Sequence, residues 1–364
     1  MKIGIITFHC SYNYGSAMQA YALVERLRQF GQSPSIIDYI YKPDFRQYYL
    51  FRTWMYTKRP QAFFVDAVYL KQNMKRKKKY QIFAKKYFNL TQTKYFDGDN
   101  LSELNNQFDA FICGSDQIWN FDCTKGTVKD YFLDFASLDK LKISYAPSCG
   151  QTSFESKNIE NLTERLTYLD YISVREKSIL CFLEPYLNGK EAVQVLDPTL
   201  LLGVQDYEKI LTPPPEKERY VYFYGLGNQK AYGEAAKYAA NLAEKMGIKL
   251  YYATRKNIKD MEGENVFSDG PSEFLGWVKE AEYIVTNSFH ATVFSVLFHK
   301  KFMTFARTAT SSRMSDLFED IGISGRLYTG DQRIEEEINY DVIDEKLELL
   351  RNKSDLFLKN ALRI

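Results

Sequence analysis

The 364-residue chain is 45% hydrophobic and carries a formal charge of +2, values that suit a globular protein of roughly two domains. No apolar run approaches the ~20 residues that a membrane-spanning helix needs, and the opening Met1-Lys2-Ile3-Gly4-Ile5-Ile6 reads as a strand, so no signal peptide is expected. Five cysteines without paired or metal-like spacing suit reduced thiols in a cytoplasmic protein with no bound metal.

In chain order, the first predicted elements are a strand over 2–7, the loop His9-Cys10-Ser11-Tyr12-Asn13-Tyr14-Gly15-Ser16, and a helix over 17–30. Ala20, Leu23, Val24 and Leu27 form the apolar stripe of that helix, and Gly31 is placed to end it. A strand over 35–39 completes a β-loop-α-β opening of doubly wound type. The loop has one glycine in place of G-x-G-x-x-G, so it gives little support to a dinucleotide site. Cys10 beside it reads more readily as a small buried thiol than as a reactive one.

Residues 41–90 interrupt the alternation. They hold thirteen Lys or Arg against two Asp, a local charge of +11, interleaved with Phe51, Trp54, Phe63 and Phe64. The plainest reading is a solvated helical face with its aromatic side turned inward. An anionic membrane surface would suit the same composition. No base-reading motif accompanies the charge, so nucleic acid is not expected as a partner.

Strands follow over 108–113, 142–146, 171–174 and 192–196. Each runs into a polar segment: Gly114-Ser115-Asp116-Gln117-Ile118-Trp119-Asn120, Pro147-Ser148-Cys149-Gly150, Arg175-Glu176-Lys177-Ser178 and Asp197-Pro198-Thr199. Pro213-Pro214-Pro215 precedes a fresh strand over 219–224. A linker over 197–218 is therefore expected between a first domain, 1–196 with a basic aromatic excursion at 41–100, and a second over 219–339. The second domain repeats the alternation, with helices over 230–246, 272–281, 288–298 and 312–321 and strands over 249–253, 283–285 and 301–305. A final helix within 340–364 is expected to pack back on the first domain. The fold class is α/β, two Rossmann-like domains facing a cleft.

His290 is one of only three histidines, and it falls in the first turn of the helix after the strand over 283–285. Asn287 or Ser288 suits the N-cap, and such a turn presents N–H groups that bind anions. An imidazole can also move a proton near neutral pH. From this stretch alone a packing or capping histidine is equally open. Arg175 carries a planar fork suited to carboxylate or phosphate, with a pair to Glu176 or Glu184 as the structural alternative. Asp116 could orient or deprotonate a hydroxyl, or simply cap a helix, and Trp119 could stack on a sugar ring. No H-E-x-x-H, Walker lysine or nucleophile-elbow motif is present. Arginines, a histidine, helix starts and a carboxylate suit an anionic donor whose phosphate leaves as a hydroxyl attacks.

Five motifs occur in order: Asn13-Tyr14-Gly15 with Gln19-Ala20-Tyr21-Ala22-Leu23, Gly114-Ser115-Asp116-Gln117-Ile118-Trp119-Asn120, Ser173-Val174-Arg175-Glu176-Lys177-Ser178, Asp197-Pro198-Thr199 and Asn287-Ser288-Phe289-His290-Ala291. Together they resemble the polysaccharide pyruvyl transferase family, from Met1 to about Arg326. The resemblance implies a GT-B-like pair of domains and transfer of pyruvate from phosphoenolpyruvate, a co-substrate, with no other cofactor. Two hydroxyls of a sugar in a cell-surface polysaccharide or its lipid-linked precursor become bridged as a ketal, and phosphate is released. The family's S-x-R-[DE] arginine and helix-start histidine fall on Arg175 and His290, which with Asp116 make the catalytic set.

Better-described members carry Arg-Leu-His where this chain has Ser288-Phe289-His290, and Arg307 or Arg313 is expected to supply the missing cation. The donor set is then Asn287, Ser288, Arg307, Ser312 and Arg313, and the acceptor set is Asn13, Tyr14, Ser115, Gln117 and Trp119. Two other functions compete: a GT-B-like glycosyltransferase using a nucleotide sugar, and a non-catalytic carbohydrate- or phosphate-binding protein. The expected location is cytoplasmic, with peripheral contact at the inner face of the membrane through 41–90.

Overall fold

Strands β1 (Lys2–Ile6), β2 (Ser33–Ile40), β3 (Leu90–Phe96), β4 (Ala110–Cys113) and β5 (Leu141–Ser144) form a parallel sheet in the order β3-β2-β1-β4-β5. The computed structural model describes residues 1–150, 156–259, 261–306, 311–330 and 337–364. Ile3, Ile5 and Ile6 are all buried, as expected for a central strand covered on both faces. Helix α1 (Tyr14–Gln29) follows β1. It begins three residues before the apolar stripe predicts, because Asn13 Oδ1 accepts the Gly15 N–H at 2.8 Å and the Ser16 N–H at 3.4 Å. Gly31, at φ +74°, turns the chain out of the helix.

Strand β3 lies inside the excursion that the sequence reads as helical. Its apolar–polar alternation is weak, and most of Leu90–Phe96 is exposed or partly so, as suits an edge strand carrying Gln92 and Lys94. β6 (Ile172–Val174) and β7 (Ala192–Gln194) pair in a separate two-stranded sheet, and one bridge from Ile143 to Tyr171 leads to them from β5.

The second sheet contains β8 (Tyr220–Tyr224), β9 (Lys249–Ala253), β10 (Glu264–Asn265), β11 (Tyr283–Thr286), β12 (Lys301–Phe305) and β13 (Leu327–Tyr328), in the order β10-β9-β8-β11-β12-β13. Every pairing in both sheets is parallel. The associated helices include α2 (Leu70–Tyr87), α3 (Gln229–Met246), α4 (Pro271–Glu280), α5 (Phe289–Leu297) and α6 (Tyr340–Leu362). Asn228 caps the start of α3 through the Ala231 N–H, and Gly247, at φ +64°, ends it. Counted from its own first strand, the first sheet runs 3-2-1-4-5 and the second 3-2-1-4-5-6, the Rossmann order. Ligands bind such sheets beyond the strand ends where the order reverses. That point lies between β1 and β4 in one sheet and between β8 and β11 in the other. Both units are Rossmann-like, as the alternation predicts.

One unit comprises Met1–Tyr48, Ala84–Leu202 and Lys346–Ile364, and the other Tyr49–Phe83 and Gly203–Glu345. Residues 49–83, expected with the first domain, therefore group with the second. Arg76 is the reason: its guanidinium donates to the Phe267 carbonyl at 2.6 Å and the Asp269 carbonyl at 3.2 Å, while Lys79 pairs with Asp269 and Glu273. The stretch 203–218, expected as linker, also belongs to the second unit. The latter half of α6 belongs to the first. There Asp355 accepts the Arg26 Nε–H at 2.9 Å, and Ser354 Oγ accepts the Leu196 N–H at 2.9 Å.

Candidate functional site

In the first unit, the reversal point is crossed by side chains. Thr7 Oγ1, just past β1, donates to the Ser115 carbonyl at 3.1 Å, and Gln19 on α1 accepts the Ser115 N–H at 3.2 Å while donating to Thr7 Oγ1 at 3.0 Å. Gly114 at φ +116° makes this close packing possible, since a Cβ there would lie 2.2 Å from the Tyr145 carbonyl oxygen. Asp116 follows at φ +66° and Ala146, past β5, at φ +51°. Two non-glycine residues in the left-handed region cost of order 1–3 kcal/mol each, and such strain clusters at functional sites. Asp116 accepts from Ser16 Oγ at 2.5 Å and from the Gln117 N–H at 2.8 Å.

A buried ion cluster lies beside these strand ends. Arg175 donates through Nε to Glu176 at 3.0 Å and through Nη1 to Asp197 at 2.6 Å, its side chain only 3% exposed. Asp197 also accepts the N–H and hydroxyl of Thr199 at 3.0 and 2.6 Å. Burial opposes the guanidinium's charge, but Glu176, Asp197 and Asp116 outweigh it and hold the pKa above its ordinary value.

Asp44, just past β2, is partly buried, and burial together with the Asp116 carboxylate raises its pKa to about 6. Hydrogen bonds from Gln47 and Ser11 moderate the rise. Two carboxyls that repel one another at strand ends, with one poised near neutrality, form an arrangement suited to general acid–base work. Cys10 in the same region is partly buried, and its thiol is pushed up to about 12, first by desolvation and then by Asp38 and Asp44. It is not a thiolate nucleophile.

In the second unit, Thr286 Oγ1 at the end of β11 donates to the Tyr224 carbonyl at 2.7 Å and accepts the Ser288 N–H at 3.0 Å. Asn287 spans the reversal point. Its Oδ1 accepts the Leu226 N–H at 2.7 Å, and its Nδ2 donates to the Leu226 and Ala231 carbonyls at 3.0 and 3.2 Å. Ser288 is the N-cap of α5, accepting the Ala291 N–H at 3.4 Å. The helix start directs partial positive charge beyond the strand ends. His290 sits in that first turn, 7% exposed, with its ring edge-on to Phe289 at 5.2 Å. Among the described residues, no group of three or more His, Cys, Asp or Glu could hold a metal ion.

The sequence model of the polysaccharide pyruvyl transferase family matches residues 13–308, most of the chain. The chain belongs to this family. No curated protein matches it. Among solved structures, this pyruvyl transferase family member is similar to a UDP-GlcNAc 2-epimerase from Methanocaldococcus jannaschii, at 13% identity and TM-score 0.48, covering 97% of this chain and 93% of that one. It is also similar to a putative UDP-N-acetylglucosamine 2-epimerase from Listeria monocytogenes, at 12% identity and TM-score 0.49, covering 97% and 88%. A third is the Arabidopsis thaliana UGT89C1 complexed with UDP-L-rhamnose, at 12% identity and TM-score 0.47, covering 97% and 93%.

Several expectations for this family member change once its side chains are placed. Trp119 is 0% exposed, stacked on Phe132 at 4.8 Å and bonded through Nε1 to the Tyr131 carbonyl at 3.0 Å, so it is core and offers no face to a sugar. Tyr14 is likewise buried in the first turn of α1. Ser115 is buried with its Oγ donating to the Ala146 carbonyl at 2.7 Å, which makes it a strand-end tie. Asn13 is the cap of α1, and Asn287 joins two loops. Arg175 has its Nε and Nη1 engaged by Glu176 and Asp197, so it ties the Asp197 loop to the end of β6. Gln117 stays partly accessible, its Oε1 accepting from Asn120 at 3.4 Å. Arg307 lies outside the described residues, as do the side chains of Ser312 and Arg313. Asp44 escaped the sequence reading because it sits in a basic stretch. The one available signal was an acidic residue directly after a proline, a few residues past a predicted strand.

Proposed function

We propose that the protein transfers pyruvate from phosphoenolpyruvate to a sugar of a cell-surface polysaccharide or its lipid-linked precursor, as a GT-B-like enzyme at the cytoplasmic face of a membrane. The observation that carries this reading is His290 in the first turn of α5, beyond the end of β11, within a chain that belongs to the pyruvyl transferase family. The helix start supplies N–H groups and partial positive charge for the donor's phosphate or carboxylate. Protonated His290 gives its proton to the methylene carbon, and the adjacent carbon becomes open to attack. One sugar hydroxyl adds there and loses its proton to Asp44 or Asp116. A second hydroxyl then displaces phosphate, closing the ketal, and its proton leaves with the phosphate. Small polar groups and carboxylates past β1, β2 and β4 suit neutral sugar hydroxyls better than an anion, which favours the first unit for the acceptor and the second for the donor. Arg175 acts at one remove, by holding the loop that contains Asp197.

The test is incubation with phosphoenolpyruvate and a panel of lipid-linked and nitrophenyl sugars. Phosphate release matched by the mass of a pyruvyl ketal supports the reading. Turnover of a nucleotide sugar with nucleotide release would replace it with a glycosyltransferase.

A further inference from the structure

Within the segment Tyr49–Phe83, the stretch Tyr49–Val68 has a polar group inside and rings outside, while Tyr80 and Phe83 are buried. Asp66 is 2% exposed on its side chain and accepts the Arg52 backbone N–H at 2.9 Å, the Arg52 Nε–H at 2.9 Å and the Tyr56 hydroxyl at 3.0 Å. Around this buried polar knot the large apolar residues face outward: Phe51, Trp54, Phe63, Phe64 and Val68 are all exposed, Phe64 by 69% and Val68 by 76%. The rings touch one another. Phe63 stacks on Phe51 at 6.2 Å and meets Tyr56 at 5.8 Å and Phe64 at 5.6 Å edge-on, so this is one surface cluster. Of the fourteen exposed large hydrophobics among the described residues, eight fall between Tyr49 and Ile82. Scattered exposed apolar residues need no explanation, but a concentration of rings does.

Charge narrows the choice of occupant. The segment holds nine Lys or Arg against Asp66 alone, a net +8. Asp66 is already paired with Arg52, while Arg76 and Lys79 are engaged within the second unit. That leaves Lys58, Arg59, Lys71 and Lys78 exposed in the same segment, Lys58 and Arg59 next in sequence to the ringed stretch. A second copy of the chain would bring +8 against +8. An anionic bilayer surface answers both features at once, since aromatic rings settle at the headgroup level and basic residues are drawn to acidic lipid. Among the described residues no helix is long and apolar enough to cross a membrane, so contact is with the surface.

We propose that Phe51, Trp54, Phe63, Phe64 and Val68, rimmed by Lys58 and Arg59, form a docking face for an anionic lipid bilayer. This assignment stands apart from the donor chemistry. The experiment is co-sedimentation of the full chain with phosphatidylcholine vesicles, with and without phosphatidylglycerol, across a salt series. Binding should require phosphatidylglycerol and weaken as salt rises. Lys58→Gln with Arg59→Gln should reduce partitioning about thirtyfold, at roughly fivefold per basic residue near the surface. Phe63→Ser with Phe64→Ser should reduce it at least as much, while phosphate release with a soluble acceptor stays unchanged in both double variants. Equal binding to neutral vesicles, unaltered binding of either variant, or no binding by the unaltered chain would overturn the proposal. So would a concentration-dependent dimer in sedimentation that Phe63→Ser with Phe64→Ser abolishes, because the face would then belong to a second copy.

Discussion

At the ends of β1 and β4, the chain gathers Asp116, Asp44 and the Arg175–Glu176–Asp197 cluster; at the ends of β8 and β11 it gathers Asn287, Ser288, His290 and the start of a helix. The two places share a scaffold. Each lies where the strand order of a Rossmann-like sheet reverses, and in each a threonine hydroxyl crosses that point, Thr7 to the Ser115 carbonyl and Thr286 to the Tyr224 carbonyl. They differ in charge. Carboxylates outnumber the one arginine in the first, whereas the second presents a helix N-terminus and a histidine. One doubly wound frame thus carries two differently charged sets of groups, because the strand ends fix where the loops gather and the loops fix the sign.

The largest expected effect comes from removing the histidine. His290→Ala should lower phosphate release from phosphoenolpyruvate by about 10²–10⁴-fold, the range for a lost general acid, with an unchanged circular dichroism spectrum. A loss of only a few-fold would remove the donor from the second crevice. Next is Arg175→Ala, which leaves Glu176 and Asp197 buried without their cation and should cost roughly 3–5 kcal/mol of stability, read from urea unfolding. If stability held and only the KM for phosphoenolpyruvate rose, the arginine would be a donor ligand after all, and the contrast between the two crevices would weaken.

Asp44 provides a pH test. Its carboxyl keeps a proton up to about pH 6, higher than an exposed carboxyl would, and only the deprotonated form can take a proton from a hydroxyl. Transfer should therefore rise as pH increases through about 6. Asp44→Asn should lower the plateau by about a hundredfold, the low end of the range for a lost general base, and remove that limb, whereas a limb that persists would assign it to another group. Asn287→Ala should have the smallest effect. It strands the Leu226 and Ala231 groups at a cost of about 1–3 kcal/mol, and thermal melting should detect the change without a shift in the pH profile.

Much of the fold was legible because it depends on local patterns. Gly31 ends a helix through its own φ angle, Gly247 likewise, and buried runs such as Tyr220–Tyr224 read as strands without partners in view, whereas the caps Asn13 and Asn228 went unread. β3 was missed because an edge strand keeps its polar residues outward and so lacks a strong period. The site was legible less evenly. His290 and Ser288 are defined by adjacency to a strand and could be placed from neighbours alone. Trp119 and Tyr14 were misjudged because aromatic residues near a strand end look alike whether they face solvent or core, and only packing against Phe132 separates the cases for Trp119.

The amino-acid order by itself determined the alternating strands and helices, the family's motifs and the basic aromatic stretch, since each is encoded within a few consecutive residues. The tertiary structure alone decided that Arg175 is paired with Glu176 and Asp197, that burial and then Asp116 raise the pKa of Asp44, and that residues 49–83 belong with the second unit. It also decided that the rings of that stretch point outward around Asp66. Charge pairing and burial depend on distance in space, and residues 22 to 193 positions apart, as Arg175 is from Asp197 and Arg76 from Asp269, become neighbours only when the chain has folded.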